Sequence, residues 1–208
     1  MTSIENITLD VADAQAAADF YAAAFGLDTR LGLRVAQEPS SGFRGFTLSL
    51  TVAQPADADA YLDAALAAGA TSLKPAAKSM WGYGGVVQAP DGAIWKVATS
   101  SKKNSGPAVK RFESLVLLLG VENVGASKRF YVEHGLTVGK SFGPMYVEFE
   151  ASGPVKLALY KRRALAKDAG VSSDGSGSHR LVIGGGAARF TDPDGFTWQA
   201  ATVASGAN

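Results

Sequence analysis

The sequence predicts an α+β protein built as two repeated halves, and three observations carry that reading. The segment FYAAAFGL at residues 20–27 recurs as FYVEHGL at 130–136. APDGAIWKVA at 89–98 recurs as DPDGFTWQAA at 192–201, so each half opens and closes alike, as an internal duplication does. The third observation is the order of periodicities, which runs from a strand-like alternation through a helical spacing to several short strand-like runs.

Residues 4–11 alternate apolar and polar side chains, with Ile7, Leu9 and Val11 as the apolar set of a strand with one buried face. Asp13 stands where a helix N-cap is wanted. Ala17, Phe20, Tyr21 and Ala24 follow at helical spacing, and Gly26 closes the helix. A short strand at 31–35 and another at 46–52 come next. Pro55 then opens a helix whose stripe is Leu62, Ala65 and Leu66 and which ends at Gly69. Strands are expected at 72–74, 85–88 and 94–99, with Pro90, Asp91 and Gly92 supplying a tight turn between the last two. Residues 101–109, polar and carrying Gly106 and Pro107, read as a linker between halves at 1–100 and 110–208.

The second half repeats this register: a strand at 115–121, Asn123 as N-cap, then Ala126, Phe130 and Tyr131 on a helix face. Strands at 145–149 and 156–160 follow. The basic stretch 161–167 reads as a short helix closed by Gly170, with Lys161, Arg162 and Arg163 on a solvated face or bordering a ligand site. Residues 172–178 read as a flexible loop and 179–183 as a strand. Only 184–189 then precede the closing motif, which leaves no room for a helix and truncates the last unit.

Hydrophobic residues make up 47% of the chain, ample for a packed core, and a net charge of +1 gives no global field toward nucleic acid or an anionic membrane. Cysteine is absent, which removes disulfides, thiolate metal sites and cysteine nucleophiles. The N-terminus does not read as a signal peptide, and no segment has the roughly 20 apolar residues of a membrane span, so a cytoplasmic protein is expected. Gly184, Gly185 and Gly186 follow a strand but open no helix, so a phosphate loop is not expected.

The paired motifs, opening on V-x-D-x-x-x-A-x-x-FY and closing on PDG-x-x-W, resemble the glyoxalase/bleomycin-resistance/dioxygenase (vicinal oxygen chelate) superfamily. The resemblance implies tandem βαβββ modules whose curved mixed sheets pair to enclose a cup. Four modules are expected near 3–36, 45–99, 112–160 and 178–202, the first and last shortened, so that the chain acts as a monomer or homodimer.

Metal-using relatives place a His on the first strand of a module and a Glu on the last. Here the first-strand positions are Asn6 and Val116, the last-strand positions Lys96 and Gln199, and the remaining pair Thr47 and His179. Only His179 is a usual ligand. The resemblance therefore points to a metal-independent protein without cofactor that binds or sequesters a small organic ligand. Its proposed contacts are Asn6, Thr8, Asp10, Trp81, Tyr83 and Lys96, where rings supply flat apolar surface and amide and ammonium fix a polar substituent. Trp81 and Tyr83 can alternatively plug the sheet end, with Lys96 paired to Asp10.

The competing reading is a lyase, isomerase or dioxygenase that uses a divalent metal or an acid–base pair of His179 and Glu148. His179 can instead be a strand-start residue bonded to backbone, and Glu148 a solvated charge. His134 is explained by its helix end, and Trp95 and Trp198 are assigned to the core. A third reading fills the cups with side chains and leaves a structural role.

Overall fold

The computed structural model describes residues 2–26, 29–186 and 189–201; Leu27, at the end of the first opening motif, lies outside them. In chain order the elements are β1 (Ile4–Val11), α1 (Ala14–Phe25), β2 (Leu31–Val35), β3 (Ser40–Gly42), β4 (Phe46–Thr51), α2 (Pro55–Ala67), β5 (Thr71–Ser79), β6 (Gly82–Gln88) and β7 (Ile94–Thr99). There follow β8 (Ser114–Val121), α3 (Val124–Glu133), β9 (Val138–Phe142), β10 (Tyr146–Phe149), β11 (Val155–Lys161), α4 (Arg162–Ala169), β12 (Gly175–Gly177), β13 (Leu181–Gly185), β14 (Phe190–Thr191) and β15 (Thr197–Ala200).

The helix ends follow local chemistry. The Asp13 carboxylate accepts from the backbone N–H of Gln15 and Ala16, and Gly26 closes α1 in the left-handed region at φ 60°. Asn123 accepts from Ala126 to cap α3. α2 begins at Pro55, and its cap is long-range: Ala56 N–H donates to Asn104, and Gln54 Oε1 accepts from Ser105 and Gly106. Residues 104–106 are thus hydrogen-bonded onto a helix start.

In each complete module the opening strand lies parallel to the closing one, β4 with β7 and β8 with β11. The first and last modules are shortened: β1 pairs parallel with β2, and β13 with β15, with no helix between 177 and 186. Modules then join across the two halves of the sequence. β4 pairs antiparallel with β8, and β1 with β13, so the second module faces the third and the first faces the last. Pairing of Ile4 with Val155 links both units into one sheet of 13 strands.

Alternation on these strands sends Ile7, Leu9, Leu48, Leu50, Leu117 and Leu119 toward α1, α2 and α3, where all are essentially fully buried. The repeated motifs are the clamp of this core. Trp95 and Trp198 are fully buried, and each indole donates to a motif tyrosine, Trp95 to Tyr21 and Trp198 to Tyr131. The tyrosines donate onward to turn carboxylates, Tyr21 to Asp91 at 2.7 Å and Tyr131 to Asp192 at 2.6 Å. Burial, reinforced by the neighbouring carboxylate, pushes both phenols well above their ordinary range, so they stay protonated donors. The halves use different positions for this: Asp192 corresponds to Ala89, and Asp194, the counterpart of Asp91, instead accepts from Ser127 and the Glu122 N–H.

Several details differ from the sequence reading, among them the short strands β3 and β14, which were not anticipated. The short strand expected at 72–74 is the nine-residue β5, and β9 was not anticipated; both are edge strands with mostly exposed, polar or small residues and little alternation to detect. Leu66 is 41% exposed, so α2 buries Ala58, Tyr61, Leu62 and Ala65 instead. Within 172–178, expected as a loop, β12 pairs with β3 and closes a two-stranded sheet.

A candidate ligand-binding groove

The sequence-predicted contacts fall on two separate faces. On β1, Asn6, Thr8 and Asp10 alternate with buried Ile7, Leu9 and Val11, which sets them on the face of the first–last pair turned away from the helices. Register places Thr8 beside Gly32 and Val182, and Asn6 beside Gly184, where a Cβ would overlap the Asn6 amide. Asp10 pairs with Arg34 at 2.8 Å, not with Lys96, because Lys96 belongs to the other pair of modules. The Arg34 side chain is 50% exposed, and such pairs contribute about 0–1 kcal/mol. Asp10→Asn is therefore expected to lower stability by less than about 1 kcal/mol in urea unfolding.

Trp81, Tyr83 and Lys96 belong to the second–third pair. Register aligns Ser49, Lys96 and Val86 across β4, β7 and β6 on the face away from α2. That face is occupied by α4. Leu165, Ala166 and Ala169 are buried against Val86 and Ile94, with Phe43, Leu118 and Tyr160 around them. Gly120 permits this approach, since a Cβ there would stand 3.2 Å from the Arg162 Cα and 3.3 Å from the Leu165 side chain. Polar contacts fix both ends of the helix. Arg162 donates to the Phe43 carbonyl at 2.8 Å, Lys96 pairs with Asp168 at 2.7 Å, and Lys74 donates to the carbonyls of Lys167 and Asp168 at 2.8 and 2.6 Å. Lys161 and Arg163 of the basic stretch are exposed as expected, but Arg162 turns back to the Phe43 carbonyl and the opposite side of the helix is buried. Its buried side is spelled by Leu165 and Ala169, four apart, a spacing that marks an amphipathic helix.

Between the C-terminal end of α4 and the β5–β6 hairpin remains a groove of about 340 Å³. Its floor is Gly84, Gly85, Val86 and Ala98, and its polar groups include Lys74, Lys96 and Asp168. Trp81, at the hairpin tip, lines it while 84% exposed, so it does not plug the sheet end. Gly82 fixes that tip at φ 137°, where a Cβ would overlap the Thr99 carbonyl. Tyr83 also lines the groove, but its hydroxyl crosses to the helix side and donates to Asp59 of α2, which with burial pushes its pKa up to about 12. Lys74 and Asp168 were not singled out from sequence; only the docking of α4 brings them together.

His179 and Glu148 form no hydrogen bond with each other among the described residues. The His179 ring lies between the carbonyl oxygens of Arg44, 2.6 Å from Nδ1, and Asp194, 3.0 Å from Nε2, and stacks on Phe196. It borders a second cavity of about 640 Å³ at the other end of α4, but both nitrogens face backbone oxygens. Glu148, on the cup side of β10, accepts from the Tyr146 hydroxyl at 2.9 Å. Tyr146 is pushed upward by burial and by that carboxylate. His134 stacks on Phe130 and contacts its carbonyl at 2.8 Å.

The strand positions that would hold a divalent cation do not fit one. Facing β4, β7 and β8 present Thr47, Lys96 and Val116, and β1 and β15 present Asn6 and Gln199. An ammonium and an alkyl group donate no lone pair, amides and a hydroxyl bind such ions weakly, and the sixth position, His179, has both ring nitrogens against the carbonyl oxygens of Arg44 and Asp194. Among the described residues no three His, Cys, Asp or Glu side chains converge on one point. Among them, too, no helix is long and apolar enough to cross a membrane.

Residues 6–98 match the family model described as a glyoxalase-like domain. Comparison with curated protein sequences gives no match. Among solved structures, glyoxalase I from Zea mays superposes with a TM-score of 0.62 at 12% identity, covering 95% of this chain and 91% of that one. A mutant of the same enzyme gives 0.61 at 14% identity, with 95% and 92% covered. A Bacillus subtilis protein gives 0.53 at 14% identity over 87% of this chain and 69% of its own. At such identities the likeness concerns the fold.

Proposed function

This chain belongs to the glyoxalase/bleomycin-resistance/dioxygenase superfamily, by the match of residues 6–98 and the fold of the whole, and from that premise we propose that it captures a small organic molecule without a metal ion. The observation that carries this reading is the groove beneath Trp81. It is a concave surface with Gly84, Val86 and Ala98 on its floor, an exposed indole at its rim and polar groups that include Lys74, Lys78, Lys96 and Asp168, placed between the β5–β6–β7 strands and the end of α4. Lys96 stands in it at a strand position where a carboxylate ligand would be needed, which turns the site from cation binding to recognition of a polar substituent. Asn6, Thr8 and Asp10 present a second, more polar face on the first–last pair as a subsidiary contact surface.

Two measurements test the reading together. Protein purified without chelator, and protein soaked in Mn, Fe, Ni or Zn and then desalted, is expected to carry only substoichiometric metal. Trp95 and Trp198 are fully buried, so entry of a compound into the groove should perturb the emission of Trp81, and Trp81→Phe should abolish that response. Near-stoichiometric metal that disappears in His179→Ala would overturn the proposal. A broad compound library that leaves both emission and melting temperature unchanged would do the same.

A further inference from the structure

Resting on the groove as the binding site, we propose that its ligands are aromatic carboxylates, and that Asp168 with the C-terminal turn of α4 is a built-in stand-in for them. The charges in the groove do not balance. Lys96 meets one carboxylate, Asp168, while Lys74 meets only the peptide carbonyls of Lys167 and Asp168. Lys78 also lines the groove, so three ammonium groups stand against one carboxylate and leave an excess of positive charge, offset in part by the negative end of a short helix dipole. A ligand carboxylate supplies the missing charge.

The magnitudes allow exchange. In the Lys96–Asp168 pair the side chains are 36% and 43% exposed, which places it among pairs contributing about 0–1 kcal/mol. A carboxylate entering beside Lys96 and Lys74 displaces a weak contact, and Asp168 turns to water. The remainder of the site prefers a flat ring. Gly84 has no side chain to narrow the floor, and the Trp81 indole, exposed at the tip of a hairpin fixed by Gly82, offers a face for stacking. Lys74 and Lys96 are both in register with Val86, away from the tip that carries Trp81, while Lys78 pairs with Tyr83 beside it, an arrangement that fits a ring bearing an acidic group.

The test uses the full-length protein and a matched pair of probes, 2-naphthoate and 2-naphthamide, titrated by isothermal calorimetry at low and high salt. The acid is expected to bind more tightly than the amide and to weaken as salt rises. Asp168→Asn removes the internal competitor and is expected to tighten 2-naphthoate by up to about five-fold while leaving 2-naphthamide unchanged. Lys96→Gln and Lys74→Gln should each weaken the acid selectively, and melting curves confirm that each variant folds. Equal binding of acid and amide, or an Asp168→Asn variant with unchanged or weaker acid binding, overturns the carboxylate assignment while leaving capture in the groove intact. Failure of both probes overturns the assignment as well, and the compound library of the preceding section then decides separately whether the groove binds anything.

Discussion

Leu165→Ala is expected to lower the stability of the protein by about 3 kcal/mol and to make the cup of the second–third pair accessible to an apolar dye. Leu165 is 1% exposed and is the largest aliphatic side chain that α4 places on that face. Its removal leaves a cavity among Val86, Ile94 and Leu118 that a sheet cannot collapse to fill. At eight residues α4 is too short to persist as a helix by itself, so its structure depends on this docking. Loss of the anchor should therefore free the whole segment rather than only empty a pocket. Urea unfolding measures the first effect and anilinonaphthalene sulfonate fluorescence under native conditions the second. Leu165→Met, which keeps the volume, should cost less than about 1.5 kcal/mol and leave the dye dark. A loss below about 1 kcal/mol with no dye binding in Leu165→Ala would show that α4 does not seal the cup.

Asp192→Ala is expected to have a comparable or larger effect, about 3 kcal/mol or more, although the residue is a surface-type carboxylate in a turn. Asp192 is 5% exposed and accepts three hydrogen bonds, from the Tyr131 hydroxyl and from the backbone N–H of Asp194 and Phe196. Truncation leaves those donors without acceptors in a site closed to water. A double-mutant cycle with Tyr131→Phe should return a coupling energy of about 1–3 kcal/mol, because the two side chains form one network with Trp198. The network also has a pH signature. Burial holds the Asp192 carboxyl above the ordinary carboxylate range, outweighing the hydrogen bonds that favour its charge. The native chain then takes up this proton at a higher pH than the unfolded chain does. Wild type gains stability relative to Asp192→Asn as pH falls through the native value, and the gain is complete below the unfolded value near 3.8. The cost of Asp192→Asn should accordingly be smallest at neutral pH and grow on acidification, in chemical denaturation at matched pH; a cost that shrinks on acidification would reject this account.

Comparison of these two sites shows how unevenly the sequence reports on the molecule. Tyr131 and Trp198, like Tyr21 and Trp95, lie within motifs that recur along the chain, so repetition exposed them; the carboxylates they bond to were not legible that way, because Asp192 corresponds to Ala89 and Asp91 to Asp194. Capping at Asp13 and Asn123 and the alternation of Ile7, Leu9 and Val11 were legible because they depend on residues a few positions apart. β9 and the full length of β5 were not, since edge strands bury little on either face and carry no strong alternation.

The candidate site was legible only in part. Trp81 could be named for its flat apolar surface and Lys96 from the strand position at which a metal ligand was missing. Their separation from Asn6, Thr8 and Asp10 could not, because the halves of the sequence are not the pairs of the structure: β4 joins β8, and β1 joins β13. The same crossing moved Asp10 to Arg34 and Lys96 to Asp168. The basic run before Gly170 read as a solvated helix, since its charges dominate its composition and two of its three buried positions, Ala166 and Ala169, are small.

The sequence by itself determined the repeated motifs, the order of strands and helices between them and the helix caps, all of which follow from local repetition, periodicity and residue chemistry. Only the tertiary structure decided which modules share a cup and that α4 fills one of them, leaving a groove with Lys74, Lys96 and Asp168 at one end and Trp81 at the other. The physical reason is that strand pairing and helix docking between distant segments depend on whole-surface complementarity, whereas periodicity registers only which face of each element is apolar.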